Sequence, residues 1–343
     1  MNKRTLLIVI CAILAVILIL LIAFTAALEG KLGLLNRTDG DETLSSEQLQ
    51  EFLNAQTDAS ANGPTIDPDS IDWGNKDNKP VFNSNDIINI MLIGQDSRSN
   101  SLSDTMILCS VNKTEKKINV ISFMRDMYVQ IPGYYNHKLN TSYALGGMKT
   151  LDATLAKNFD IHIDGNVEVD FNGFVDVIDV LGGVDVALTS SEANYLNSRG
   201  NWDLNDSTAG QWSLTEGVNH LTGEQALAYC RIRYIGNGDY GRTERQRKVL
   251  SALMEACRDL SITKLNALFN EVLPMLTTDM SNAEILGYAL EVFPILSELK
   301  MSTHQIPTDN GHYAGYINEM AVLVPDLDAN REYLADLGVL DED

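Results

Sequence analysis

Residues 5–28, TLLIVICAILAVILILLIAFTAAL, carry no charged side chain. As a helix rising about 1.5 Å per residue, such a run exceeds the roughly 30 Å hydrocarbon thickness of a bilayer. A cleaved leader fits less well, because its apolar core is usually about 7 to 15 residues long. Lys3 and Arg4 precede the run and acids follow it. The positive-inside rule therefore leaves residues 1–4 in the cytoplasm and everything after Glu29 outside. The expectation is a retained single-pass anchor bearing an extracytoplasmic domain.

That location and the charge limit the chemistry. The chain has 343 residues and a net charge of −22, which argues against nucleic acid as a partner, since such binding rests on basic surface that displaces phosphate counterions. Cys11 lies in the span, leaving Cys109, Cys230 and Cys257. None has metal-type spacing, so buried thiols are expected rather than a disulfide framework. Residues 36–86 contain eleven acids and three bases, the composition of a linker. The segment 29–84 is read as an acidic linker and the folded domain as beginning near Asn85.

IINIMLI (87–93), TMILCSV (105–111) and KINVISFM (117–124) are short β-branched runs bounded by turn residues, the pattern of strands. NKTEKK between the last two reads as a hairpin turn. In an antiparallel meander of these three, Asp96, Arg98, Asp104, Arg125 and Asp126 share one rim. Farther on, MKTLDATLAKNF, FNGFVDVIDVL, GEQALAYC, TERQRKVLSALMEACRDL and ITKLNALFNEVLPML read as helices, with strand-like VEVD and VDVAL between them. Helices covering a mixed sheet make an α/β or α+β fold. Gly182 and Gly183 after VIDVL fit a helix C-cap.

Residues 231–248, RIRYIGNGDYGRTERQRK, hold six of the chain's 25 Lys and Arg residues against only Asp239 and Glu244. Thr243 followed by Gln246 matches a capping box, so a helix is expected to start at Thr243. At about 100° per residue, Gln246 falls within the apolar stripe of Val249, Leu253 and Leu260, and Arg242 projects close to it. Arg247 and Lys248 are assigned to a solvated face. An inward Arg at a helix N-terminus opposes the macrodipole and is costly to desolvate. Two arrangements relieve that cost: a bound anion, or pairing with Asp239 or a core acid. GNGDYG matches the dinucleotide fingerprint in letters only, because more helix follows instead of a second strand. Its glycines are expected to form a loop at a phosphate site.

Asp96 and Asp104 flank SRSNSLS, and paired carboxylates suit Mg²⁺ or Mn²⁺, although Asp is also ordinary in turns. Arginines from three segments together with two carboxylates point to phosphoryl chemistry. No G-x-S-x-G, P-loop or H-E-x-x-H motif occurs in the chain.

The blocks GQDSR, SDTMIL, SFMRDMYVQIPG, KLN, VDFNGFVDVIDVLGGVDV, LTGEQALAYCRIRY and GDYGRTERQ occur in this order. Together they resemble the LytR-CpsA-Psr family of cell-wall enzymes over about residues 85–260. The resemblance implies an α-β-α sandwich around a central mixed sheet, with an apolar tunnel for a polyprenyl chain. It implies transfer of a glycopolymer phosphate from a polyprenyl-pyrophosphate carrier to a cell-wall acceptor such as a peptidoglycan sugar hydroxyl. By it, Asp96 and Asp104 are metal ligands. Arg98, Arg125, Arg231, Arg233, Arg242 and Gln246 fall on pyrophosphate-contacting positions, with Arg98, Arg125 and Arg242 as the catalytic arginines. Asp239 and Arg245 belong to the motif without an assigned role, and Asp126 or Asp239 is a candidate base. Leu102 and Met124 depart from the family pattern, at the positions of an Arg and a Pro. Residues 261–343 are expected to be a helical extension packed on the catalytic domain, with HQIP (304–307) a packing element. Two other readings stay open: a hydrolase that uses water as acceptor, and a receptor that binds lipid-linked glycan without turnover.

Overall fold

The three β-branched runs do form the meander, with residues 113–116 turning between the second and third. The computed structural model describes residues 31–40, 45, 47, 50, 53–54, 63–74, 85–96, 102–198, 212–258 and 270–340. The expected anchor at 5–28, the short cytoplasmic tail and Arg98 lie outside these residues, as do the side chains of Asp96, Leu102, Asp104, Asp239 and Cys257. Among the described residues no helix is long and apolar enough to cross a membrane.

In chain order the elements are β1 (Asn36–Arg37), β2 (Ile87–Asp96), β3 (Leu102–Asn112), β4 (Lys117–Phe123), β5 (Tyr128–Val129), β6 (His137–Lys138), α1 (Leu139–Phe159) and β7 (Gly165–Asp170). Next come α2 (Phe171–Val180), β8 (Val184–Leu188), α3 (Ser190–Asn197), β9 (Gly217–Leu221), α4 (Gly223–Cys230) and α5 (Asp239–Arg258). The chain continues with β10 (Leu276–Thr278), α6 (Asn282–Val292), β11 (Lys300–Ile306), β12 (His312–Ile317), β13 (Met320–Pro325) and α7 (Leu327–Asp336).

The described chain divides into two units, one of residues 37–169, 277–300 and 304–343, the other of residues up to 36, 170–276 and 301–303. The first is framed by a seven-stranded sheet in the order β1-β10-β7-β2-β3-β4-β11. β2, β3 and β4 pair antiparallel, with Ile90 opposite Cys109 and Cys109 opposite Val120. On the other side of β4, Lys300 N–H donates to the Lys116 carbonyl at one end and Met124 N–H to the Ile306 carbonyl at the other. β11 therefore runs parallel to β4, and the sheet is mixed. From Ile118 to Phe123 every residue of β4 is buried, as befits a strand covered on both faces. Buried Asn112 and Asn119 donate side-chain hydrogen bonds to the Gly338 and Leu337 carbonyls just past α7, satisfying acceptors that a helix end leaves open.

Residues 261–343 are not a purely helical extension. They supply β10 and β11 to the central sheet and also the hairpin β12–β13. In HQIP, His304 packs edge-on against Tyr333 and hydrogen-bonds its hydroxyl at 2.7 Å, a packing role. The acidic linker is likewise partly folded: Leu32, Leu35 and Ile71 are buried. Its few apolar residues suffice to dock it where a hydrophobic surface waits.

In the second unit, α2 ends as its sequence predicts. Gly183 N–H bonds the Ile178 carbonyl and Gly182 N–H the Asp179 carbonyl, both glycines at positive φ, which is the Schellman motif. α4 is capped reciprocally by Thr222 and Gln225, α3 by Thr189 and Glu192. Gly223 starts α4 because a Cβ there would lie 2.2 Å from the Val175 carbonyl oxygen of α2. α5 begins at Asp239, four residues ahead of the expected start. The Thr243 hydroxyl donates back to the Tyr240 carbonyl, so the expected capping box does not form. Gly238, at φ 56°, makes the preceding turn, and Arg242 N–H reaches its carbonyl; the glycine turn nucleates the helix before Thr243 is reached.

Candidate functional site

In the first unit the candidate residues lie at one end of the meander. Asp96, the last residue of β2, pairs with Leu102, the first residue of β3. Gln95 pairs with Ser103 and Gly94 with Thr105, so Asp104 is the extra residue of a bulge, a device that re-aims side chains. The backbone thus brings both aspartates to one strand end. Aspartate is the residue type that Mg²⁺ takes, with one or two carboxylates and waters or phosphate oxygens at its other positions.

Arg125 and Asp126 follow β4 at the same end. Arg125 Nε lies 3.3 Å from Asp126 Oδ2, and Lys138 Nζ is 2.9 Å from Asp126 Oδ1. Lys138 is buried although it carries a charge, which is tolerable only with a partner such as this carboxylate. Both oxygens of Asp126 are engaged, so in this structure it ties two cations together. Lys138 has no role in the sequence reading, although KLN is among the quoted blocks. Its significance depends on β6 pairing with β5, Tyr128 opposite Lys138. Beside it, burial and the charge of Lys138 push the His137 imidazole down to about 4, so His137 stays neutral and hydrogen-bonds Thr141 Oγ1 at 2.6 Å.

In the second unit α4 and α5 carry the basic motif. Arg231 terminates α4 as its C-cap residue, where a cation meets the negative end of the helix dipole. Its guanidinium lies 4.6 Å from the centre of the Phe171 ring, a cation–π distance. Arg233 is exposed, whereas Arg242 is only 3% exposed. The inward reading of Arg242 therefore holds, although it sits within the helix and not ahead of it. Gln246 is half-buried. Lys248 stays half-exposed, 3.7 Å from Glu244. The solvated assignment fails for Arg247: it is half-buried, and desolvation by burial lowers its guanidinium from the usual value against the pull of Glu244.

Arg245 has the most defined role. Its Nε donates to Glu192 Oε1 at 2.8 Å, Nη1 to the Ile232 carbonyl at 3.0 Å and Nη2 to the Ile235 carbonyl at 2.9 Å. A Cβ on Gly241 would lie 3.2 Å from Nη1, and one on Gly236 3.6 Å from Nη2. Gly236 and Gly241 of this loop thus lie beside the Arg245 guanidinium, Gly241 closely enough that a side chain there would crowd it. Burial pushes the Glu192 carboxyl up, but hydrogen bonds from the Thr189 backbone and the Arg245 guanidinium outweigh it and hold the group below its ordinary value. Arg245 and Glu192 therefore form the frame that carries Arg231 and Arg233. Glu192 is absent from the sequence reading; it is legible there only as the third residue of the α3 cap.

Cys109 and Cys230 are buried free thiols, as expected, and burial pushes the Cys230 thiol far up.

A mixed sheet with helices, aspartates at a strand end, buried arginines on α5 and the half-buried Arg231 at the end of α4 define the class of an anion-handling α/β protein. The LytR_cpsA_psr family model matches residues 49–335, and the chain belongs to that family. It is similar to the regulatory protein MsrR of Staphylococcus aureus (strain Mu50 / ATCC 700699), 31% identical over 272 residues that cover 78% of each chain. It also resembles the polyisoprenyl-teichoic acid–peptidoglycan teichoic acid transferase TagU of Enterococcus faecalis, 32% identical over 234 residues covering 65% of this chain and 72% of that one. Among solved structures it is similar to YwtF (TagT) with bound octaprenyl pyrophosphate lipid. That likeness has a TM-score of 0.55 at 27% identity and covers 78% of this chain and 95% of that one.

Proposed function

We propose that the protein is a membrane-anchored phosphotransferase. It moves a glycopolymer phosphate from a polyprenyl-pyrophosphate carrier to a cell-wall acceptor hydroxyl, such as that of a peptidoglycan sugar. The observation that carries this reading is the set of buried and half-buried cations at motif positions in a chain of net charge −22: Arg242 and Arg231 in one unit, Arg125 and Lys138 in the other. Likeness to a teichoic acid transferase and to a structure holding octaprenyl pyrophosphate supports pyrophosphate as the anion.

The acceptor hydroxyl attacks the glycan-bearing phosphorus. A new P–O bond forms, the bridging P–O bond breaks, polyprenyl phosphate leaves, and the acceptor's proton passes to the leaving phosphate or to water. The motif arginines bind the pyrophosphate oxygens and stabilise the charge that develops on them. Asp126, itself paired with Lys138, holds the Arg125 guanidinium, and a donor positioned in advance loses little free energy to reorganisation. Asp96 and Asp104 would hold Mg²⁺ or Mn²⁺, which when bound neutralises phosphate charge. Residues 5–28 would keep the catalytic units outside, at the membrane surface that supplies the carrier.

The test incubates the full chain in detergent micelles with a polyprenyl-pyrophosphate oligosaccharide, Mg²⁺ and peptidoglycan fragments, and follows products by mass spectrometry. A covalent phosphodiester adduct is expected, lost in Asp104→Ala and Arg242→Ala. Free phosphoglycan without adduct indicates a hydrolase, bound intact lipid without product indicates a receptor, and full transfer by both variants overturns the site.

A further inference from the structure

Residues 63–74, acidic and linker-like in sequence, lie against the hairpin β12–β13. Ile66 N–H donates to the Tyr316 carbonyl at 2.8 Å and Tyr316 N–H to the Pro64 carbonyl at 2.9 Å, and Thr65 forms a parallel bridge with Tyr316. The approach is close enough to require glycine on both sides. A Cβ on Gly63 would lie 2.6 Å from the Tyr316 ring, and one on Gly315 2.5 Å from Ile66 Cδ1. A flexible tether needs no such fit.

The ladder continues inward. Leu323 of β13 bridges Met127, and its N–H donates to the Asp126 carbonyl at 3.0 Å. On the far side of that strand, Leu139 N–H donates to the Met127 carbonyl and Asn140 N–H to the Arg125 carbonyl. Five segments thus form one run: the strap at Thr65, β12, β13, residues 125–129, and the 137–140 segment. Its outer end is in the linker and its inner end holds Arg125, Asp126 and Lys138.

Side chains make the same connection. Ile66 and Trp73 pack on a cluster of Ile71, Tyr128, Ile317, Met320, Val322 and Val324. The Trp73 ring stacks on Tyr128 with centroids 6.2 Å apart and planes 28° apart. Tyr128 is the register partner of Lys138, and residues opposite each other in an antiparallel pair share a face, with Cβ atoms about 4.5–5.5 Å apart. Lys138 in turn grips Asp126, which holds Arg125.

We infer that residues 63–74 are a strap belonging to the catalytic unit, and that Trp73 is a positioning residue that holds the Arg125–Asp126–Lys138 cluster in place through Tyr128. The effect on rate rests on the transferase reading; the effect on backbone order does not.

The test compares the full chain with Trp73→Ala and Trp73→Phe in detergent micelles. Hydrogen exchange at the Leu139, Asn140 and Leu323 amides is expected to rise about tenfold or more in Trp73→Ala, with exchange at Leu108 and Ile121 in the sheet unchanged, and to return near the parent value in Trp73→Phe. With an octaprenyl-pyrophosphate disaccharide and peptidoglycan fragments, kcat is expected to fall about tenfold while KM for the lipid stays within about twofold, and Trp73→Phe restores it. Unchanged exchange at the three amides overturns the proposal, as does faster exchange throughout the sheet, or locally faster exchange with unchanged kcat. Absence of turnover in the parent chain defeats the transferase reading, and the exchange data alone then decide for or against the strap.

Discussion

Replacing Arg245 with methionine removes a guanidinium whose three nitrogens each make a buried or partly buried hydrogen bond. Both side chains of the Arg245–Glu192 pair are 6% exposed, so little water is available to take the place of either. Breaking such a pair from one side costs about 3–5 kcal/mol, because the remaining charge is left uncompensated. Each of the two orphaned carbonyls, of Ile232 and Ile235, adds up to about 1–3 kcal/mol where water cannot reach it. The loss is therefore a large part of the roughly 5–15 kcal/mol that holds a domain folded. Glu192→Gln in the same background removes the buried charge and keeps an acceptor for the α3 cap. The double variant Glu192→Gln/Arg245→Met is thus expected to be more stable than Arg245→Met by about 1.5 kcal/mol or more. The pH dependence follows from the same pair. In the parent, Glu192 lies below its ordinary value, so its contribution is present above the unfolded value and lost as pH falls through the folded one. In Arg245→Met the carboxyl loses its guanidinium and titrates higher, so the destabilisation shrinks between pH 8 and pH 5. Urea unfolding of the four proteins of the cycle, followed by circular dichroism at both pH values, reads all of this. Arg245→Met within about 1 kcal/mol of the parent, or a coupling below about 0.5 kcal/mol, refutes the frame role.

Asp152 accepts a hydrogen bond from Asn166, whose amide also donates to Asp279. Burial, opposed by the Asn166 hydrogen bond and reinforced by Asp279, pushes Asp152 up from 3.8 to about 7. The folded state thus holds this proton more tightly than the unfolded state, and stability falls as pH rises from about 4 to 7, then levels. Asp152→Asn should be more stable than the parent by a few kcal/mol at pH 8 and equal to it near pH 4; parallel urea midpoints across that range would contradict the assignment. Gly223→Ala should cost about 1–3 kcal/mol, because its Cβ meets the Val175 carbonyl oxygen at 2.2 Å. Gly287→Ala in α6, with nothing within 4 Å of its Cβ, should stabilise by about 0.5–1 kcal/mol; a thermal melt raised in Gly223→Ala, or lowered in Gly287→Ala, would count against the respective reading.

Much of the fold is legible because its determinants are local. The runs at 87–93, 105–111 and 117–124 are too short for helices and too β-branched for loops, and GEQALAYC, preceded by Thr222, carries its own cap. The start of α5 is misread because a Thr-x-x-Gln pattern competes with a glycine turn five residues earlier, and local patterns do not rank the two. The strap at 63–74 is illegible for a different reason. Its apolar residues, Ile66, Ile71 and Trp73, are too sparse to show a period, and their partners, Tyr128 of β5 and residues of β12 and β13, lie far along the chain.

The candidate site divides in the same way. Sequence alone determined the three-stranded meander and the core of α1, α2, α4 and α5, the bulk of the cationic set, the rim that gathers Asp96, Asp104, Arg125 and Asp126, and the inward phase of Arg242. These follow from strand pairing across a short loop and from helical periodicity. Only the tertiary structure decided which charges neutralise one another. Arg245 belongs to Glu192, 53 residues away, and Asp126 is held by Lys138 as well as Arg125. The cost of burying a charge depends on what lies within a few ångströms of it. Those neighbours come from segments that only the folded chain brings together, so a cation that binds substrate and one that braces the frame look alike until it folds.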